Sequence, residues 1–367
     1  MPKFAAFPGI RYATDDLSLV TAPPYDVIDD EERAALVDRH PHNVVRIDLP
    51  RGGDDPYGEA GATFASWQRD GVLTVDEPSL YLYRMSHDGE STLGVIGALG
   101  LEPPGTGDVL PHEHTTPKAR SDRLDLLRST VANLSPVWGL SLADGLSKLL
   151  DPETAVSLGS WSDADGVEHA LWRIDDADTV VRIAESIGSA PVVIADGHHR
   201  YETCLAFAAE RPDLAGANGI LCYVVELAPD QLTVRPIHRL VRGVTIAELE
   251  DALRTEYELD AAEPTGLALV TPERTRGLRP LHASGDIDSV VLDRALAHLP
   301  DHELTFQHGI DNVERAVRTG AADAGVLLRG VTVDQIARTA RAREKMPPKS
   351  TFFWPKPRTG TVFRSLE

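Results

Sequence analysis

The sequence predicts a mixed α/β fold, α+β in character, built in more than one unit. Three observations predict it. Short apolar runs alternate with amphipathic stretches along most of the chain, as strands interleaved with helices do. One such run, Pro191-Val192-Val193-Ile194-Ala195, leads into Asp196-Gly197-His198-His199-Arg200-Tyr201 and then a helix-like stretch over 202–210. That order is strand, glycine turn, helix. Finally, 367 residues with 26 Pro and 29 Gly are many for a single core, and the pattern changes after Gly243.

The elements follow in order. Ala22-Pro23-Pro24-Tyr25-Asp26-Val27-Ile28 reads as a rigid extended turn, and Asp29 or Asp30 caps a helix over 31–39. Asn43-Val44-Val45-Arg46-Ile47-Asp48-Leu49 alternates polar and apolar residues and predicts a strand. A Gly/Asp-rich loop precedes a helix over 57–70. Segments 80–85 and 92–101 predict a hairpin around Asp88-Gly89. An amphipathic helix over 121–132 carries Leu124, Leu127 and Val131 on one face. A strand over 135–142 follows, then a polar, peripheral stretch over 143–170, a short strand over 171–174 and a helix over 178–186. Segments 220–227 and 232–240 predict a second hairpin. Beyond it come helices over 246–256, 288–297, 313–319 and 333–343, with strands over 267–270 and 324–328. The expected division is 1–243, a smaller α/β unit over 244–344, and a tail over 345–367 that returns to the first unit.

Composition excludes several classes. A net charge of −21 repels a nucleic-acid backbone. No apolar window reaches the roughly 18 residues of a membrane span. The N-terminus lacks a signal-peptide core, so a cytoplasmic protein is expected. Cys204 and Cys222 are too few for a disulfide framework, and Cys204 reads as a packing residue.

The hexapeptide is the main candidate site. A strand–glycine–helix turn aims backbone N–H groups and the positive end of the helix dipole at one spot, which suits an anion. Two imidazoles and a guanidinium fork add charge that matches phosphate. A phosphate-bearing ligand, with a nucleotide foremost, is the expectation. Three further constellations stand out. His112-Glu113-His114, with Thr115 and Lys118, suits a general base or a metal site. Arg235-Pro236-Ile237-His238-Arg239 ends a strand and offers His238 and Arg239 to phosphate. Lys345-Met346-Pro347-Pro348-Lys349-Ser350-Thr351-Phe352-Phe353-Trp354-Pro355-Lys356 either delivers a lysine to a phosphate or tethers the C-terminus as an aromatic plug.

The whole chain resembles the bacterial family DUF1015, a domain of unknown function. The resemblance runs through Ala22–Ile28, Asn43–Arg46, Leu110–Glu113, Asn133–Pro136, Ala195–Thr203, His238-Arg239 and Met346–Thr351. The hexapeptide also resembles the signature of the ParB/sulfiredoxin-like superfamily, and within it the free-serine kinases. Those kinases show a Pro-His-Glu segment, a Leu-rich helix, a strand and then Asp-Gly-His-His-Arg-Tyr. Here Pro111-His112-Glu113, Leu124, Leu127, Leu134 and the hexapeptide keep that order. The interval from Glu113 to Asp196 is longer than in the kinases, the excess falling near 143–170.

The resemblance implies a ParB/sulfiredoxin-like nucleotide-binding core with large insertions. It implies that Glu113 is the general base and that Asp196 binds Mg²⁺ or orients the acceptor. Gly197, His198, His199 and Arg200 would hold the phosphates of ATP or ADP, His199 acting in catalysis. Thr115, Lys118, His238 and Arg239 are further phosphate candidates, and Tyr25, Asp26, Asn43, Arg46 and Lys349 are substrate candidates. The implied activity is a nucleotide-dependent phosphotransferase acting on a small hydroxyl compound, free L-serine foremost. A nucleotide-binding regulatory protein and a His-rich metal-dependent hydrolase are the alternatives. Nucleotide and small molecule are the expected partners, without nucleic acid or membrane; a homodimer is compatible with the sequence.

Overall fold

The computed structural model describes residues 1–14, 16–111, 120–260, 266–282 and 285–367. Its mixed α/β architecture falls into two compact units. One comprises Met1–Thr233 with Pro355–Glu367, the other Val234–Trp354. The sequence had suggested 243 and 344 as boundaries. The earlier division follows from the strand His238–Arg242, which pairs on both sides within the second unit's sheet.

The first unit is organised by a nine-stranded sheet. Its path runs Val109–Pro111, Val192–Asp196, Val137–Ser141, Gly219–Glu226, Glu90–Gly100, Leu80–His87, Glu168–Ile174 and Val156–Ser162, with Phe4–Ala5 joined beside Glu90–Gly100. Val192–Asp196 and Val137–Ser141 are buried nearly throughout. They read as continuous apolar runs because both faces are covered, one by the helix His198–Glu210 through Tyr201, Cys204 and Phe207. A smaller sheet orders Leu73–Val75, Gly9–Tyr12, Phe363–Ser365 and Ala132–Asn133, so the C-terminal strand sits inside the first unit.

The second unit is a six-stranded antiparallel sheet with helices on both faces. Strand alternation sorts its core. Leu240, Ala268 and Val270 pack with Val313 and Val317 on one face. Val241, Leu267, Leu269 and Val326 pack with Leu249, Leu253 and Leu292 on the other.

Several expectations need correction. Asn43–Leu49 is not a strand: Val45–Asp48 forms one helical turn. Asn43 is wholly buried and accepts the Val45 N–H at 3.0 Å while donating to Leu19 O and Thr21 O, which bends the chain despite its β-branched residues. The stretch 143–170 is not merely peripheral, since it supplies the edge strand Val156–Ser162 and the buried Trp161 and His169. Segments 220–227 and 232–240 form no hairpin, because Gly219–Glu226 pairs with Glu90–Gly100 and Val137–Ser141 instead. The helix after the turn begins at His198, placing His198, His199 and Arg200 in its first turn.

Candidate functional site

The strand Val192–Asp196 carries the site to the end of the large sheet. Its register against Val137–Ser141 slips between Ile194 and Asp196, an irregularity that re-aims the carboxylate. Gly197 follows at φ 89°, in the left-handed region. A β-carbon there would meet Val137 Cγ1 and the Arg200 guanidinium, each 2.9 Å away. Gly197 also offers no side-chain cap to the 13-residue helix that starts at His198.

Asp196 is the electrostatic centre. Its Oδ1 accepts from Lys356 Nζ at 2.9 Å and its Oδ2 from Arg200 Nη2 at 2.9 Å. Burial by itself would raise the carboxyl, but the charges of Lys356, Arg200 and His198 outweigh it and hold Asp196 at about 2. Burial likewise opposes the Lys356 ammonium, yet Asp196 and Asp26 raise it above its ordinary value. Lys356 reaches Asp26 Oδ2 at 3.2 Å, so one ammonium sits between two carboxylates.

Arg200 is used differently from the sequence expectation. Its Nη1 donates to Ser135 Oγ at 2.9 Å and to Pro136 O at 2.6 Å, while Nη2 goes to Asp196. The fork braces the turn against the start of Val137–Ser141. His199 sits in the same first turn, its carbonyl accepting from Thr203 Oγ1. Among the described residues, its buried Nδ1 has no hydrogen-bond partner.

Tyr25 and Asp26 come to this turn. The Arg123 guanidinium lies over the Tyr25 ring at 4.2 Å, and Arg123 also donates to Asp48 O and Oδ1 at 2.8 and 3.3 Å. Burial raises the Asp48 carboxyl against the opposing pull of Arg123 and Arg200. Asp48, Arg123, Asn133, Ser135, Arg200 and Cys204 wall a small cavity of about 50 Å³. Burial pushes the Cys204 thiol up to about 12, so it is a packing group that receives a hydrogen bond from Asn133 Nδ2 at 3.4 Å.

Lys356 is the residue that the sequence reading passed over for its neighbour Lys349. Lys349 is exposed in the second unit, at φ 58°. Lys356 belongs to the first unit, where the backbone bridge Ala22↔Thr359 joins the tail to the Tyr25-Asp26 segment. Arg358 anchors that tail. Its N–H donates to Tyr83 Oη at 3.3 Å and its Nη1 to Asp163 Oδ2 at 3.4 Å, while Asp163 also bonds His169 Nε2 at 3.0 Å. The repeated tail prolines were the only available signal that this segment holds a fixed path.

The remaining candidates divide. Glu113, Thr115 and Lys118, with His112 and His114, lie outside the described residues. Asn43 supports the loop before Tyr25, whereas exposed Arg46 donates to Val37 O at 2.8 Å and faces another cavity. His238 and Arg239 belong to the second unit. His238 Nδ1 accepts the Leu328 N–H at 3.1 Å, and Arg239 lies under 4.6 Å-distant Phe306. Burial, helped by His308 and Arg239, pushes His238 down to about 4, so it is neutral at pH 7. Among the described residues no three His, Cys, Asp or Glu side chains converge on a metal position, and no helix is long and apolar enough to cross a membrane.

The family model described as "Protein of unknown function (DUF1015)" matches residues 4–310, and the chain belongs to that family. No curated protein matches the sequence significantly. Among solved structures, a conserved hypothetical protein from Pyrococcus furiosus is 13% identical, over 71% of this chain and 92% of its own, with a TM-score of 0.40. A free serine kinase in complex with AMP is 14% identical over 71% and 98%, with a TM-score of 0.39. SbnI with C-terminal truncation from Staphylococcus aureus is 11% identical over 72% and 85%, with a TM-score of 0.44. Each of these likenesses is faint.

Proposed function

We propose that this member of the DUF1015 family is a nucleotide-dependent phosphotransferase that acts on the hydroxyl of a small molecule, with free L-serine the favoured acceptor. The observation that carries the reading is the ionic turn. An Asp196 carboxylate held near pKa 2 stands beside Gly197 and an uncapped helix N-terminus. Phosphoryl transfer asks the protein mainly for positioning and charge stabilisation, and these are the parts it needs.

The roles follow from the geometry and from the resemblance of the hexapeptide. Backbone N–H groups after Gly197, with His198 and His199, receive the phosphates. Arg200 positions Asp196 by tying it to Ser135 and Pro136. Lys356, held between Asp196 and Asp26, supplies a second cation beside Arg200. Tyr25, Asp26, Asp48 and Arg123 form the acceptor side, where a carboxylate and a guanidinium suit an amino acid's two charges. Glu113 takes the hydroxyl proton, a role resting on the resemblance alone.

Two hard carboxylate oxygens, from Asp196 and Asp26, hold the Lys356 ammonium, so a metal ion would take that place only with the ammonium displaced. Such a set fits Mg²⁺, which takes one or two carboxylates together with phosphate oxygens. When bound, the ion would neutralise charge on the transferring group.

The test is direct. The protein is incubated with Mg²⁺, L-serine and ATP, ADP or CTP, and phosphoserine is followed by ³¹P NMR. Product is expected with one donor. Glu113→Gln is expected to abolish transfer yet leave nucleotide binding intact. Nucleotide binding without product from any hydroxyl acceptor would replace the kinase reading with a regulatory one.

A further inference from the structure

A second cavity of about 470 Å³ lies in the first unit, and its lining includes none of the residues of the Asp196 turn. Arg33 enters it from the helix Asp30–Arg39, Arg46 from the helical turn Val45–Asp48, and Arg51 from the loop beyond. The first turns of the helix Pro56–Arg69 close another wall through Pro56, Glu59 and Thr63.

Three guanidiniums in one cavity are unusual for a chain with 57 acidic and 36 basic residues. Their compensation is thin. Among the described residues Arg33 and Arg46 have no carboxylate partner; each instead donates once to a backbone carbonyl, Arg33 Nε to Leu49 O and Arg46 Nη2 to Val37 O, both at 2.8 Å. Those bonds fix the forks while leaving their other N–H groups open. Arg51 pairs with Asp30 at 2.8 Å, but both groups are largely exposed, and such pairs contribute little. Glu59 is the one carboxylate lining the cavity among the described residues.

We propose that this arginine-walled cavity binds a multivalent oxyanion of the phosphate type, at a site distinct from the Asp196 turn. Planar forks match phosphate oxygens bidentately. A phosphate group carries close to two charges at neutral pH, enough to offset the repulsion among three arginines. The N-terminus of the helix Pro56–Arg69 is already capped by Asp55, which accepts the Gly58 N–H at 2.9 Å, so the attraction comes from the arginines. Burial and then the charges of Arg51 and Arg46 lower Arg33 from its ordinary value, which is the strain an anion would relieve. The volume is in the range of small-molecule sites and leaves room beyond one phosphate, as a pyrophosphate or a small phosphomonoester would use.

Calorimetric titration with inorganic phosphate, pyrophosphate and citrate at constant ionic strength tests this. Pyrophosphate is expected to bind the wild-type chain. Its Kd should rise at least tenfold in Arg51→Gln and in Arg46→Gln, and stay within twofold in Asp196→Asn. Among the described residues Arg51 makes no side-chain hydrogen bond or ion pair other than that with Asp30, so that variant keeps the test valid if Arg46→Gln unfolds. Binding lost in Asp196→Asn but kept in both arginine variants would place the anion at the turn and overturn the proposal. Citrate binding as tightly as pyrophosphate would overturn the phosphate preference, and no binding of any probe would overturn the site.

Discussion

The chain contains two runs of histidine followed by arginine, His198-His199-Arg200 and His238-Arg239, and they have opposite fates. The first stands where a strand ends and a helix begins, with Gly197 at positive φ between them. The second lies inside a strand hydrogen-bonded on both sides, where His238 and Arg239 are 2% and 1% exposed. There the imidazole serves a backbone amide and the guanidinium an aromatic face. The same residue types therefore make a charged turn in one place and a packed interior in the other. Backbone setting decides between them: the turn sets Asp196, Lys356 and Arg200 together at a helix start, whereas the strand buries His238 and Arg239 between its neighbours.

The largest expected effect separates these two regions. Asp196→Asn should lower phosphotransfer by about 10²–10³-fold, the size typical of losing a preorganised electrostatic group, whereas His238→Gln should leave kcat within twofold. Steady-state kinetics on both variants check this. Equal losses would mean that the turn has no special standing.

Lys356→Met comes next. It should raise the KM for nucleotide about tenfold, and Lys349→Met should not change it. Matching effects from the two lysines would break the assignment of Lys356 to the turn.

Gly197→Ala should cost about 1–2 kcal/mol through its left-handed backbone alone, with more from the clash with Val137 and Arg200. A chemical-denaturation midpoint close to wild type would contradict the tight turn.

Acid stability sharpens the comparison further. His238 has a folded pKa of about 4 against roughly 6.5 unfolded, so the unfolded chain binds its proton first. Its contribution, on the order of 2–3 kcal/mol, is present above pH about 6.5 and is lost as pH falls towards 4. Asp196, at about 2 folded, contributes fully above pH about 4 and loses its share as pH falls through 2. His238→Gln should flatten the stability profile between pH 6.5 and 4, and Asp196→Asn only below about 4. Denaturation followed across pH 2–8 distinguishes them.

Much of this contrast was legible in the sequence. Gly197 between an apolar run and an amphipathic one marked the strand–turn–helix, because few other residues accept that backbone. The caps and apolar periodicity placed most helices to within a few residues. What was not legible depended on distant partners. Nothing near Lys356 shows that Thr359 bridges to Ala22, so Lys349 looked equally suited. Arg200 carries no mark that Ser135 and Pro136 would take its fork. Asp48 and Arg123 lie far apart in sequence and meet only through the fold. Val44, Val45 and Ile47 favour a strand by local propensity, and the buried Asn43 side chain overrides it.

The most direct test of the central claim is nucleotide titration of the wild-type chain, Asp196→Asn and His238→Gln by calorimetry, with Mg²⁺ present. Binding to wild type and His238→Gln, at least tenfold weaker in Asp196→Asn, is the predicted result. Equal nucleotide affinity in all three proteins, or none in any, would contradict the assignment of the Asp196–Arg200 turn as a phosphate-binding centre.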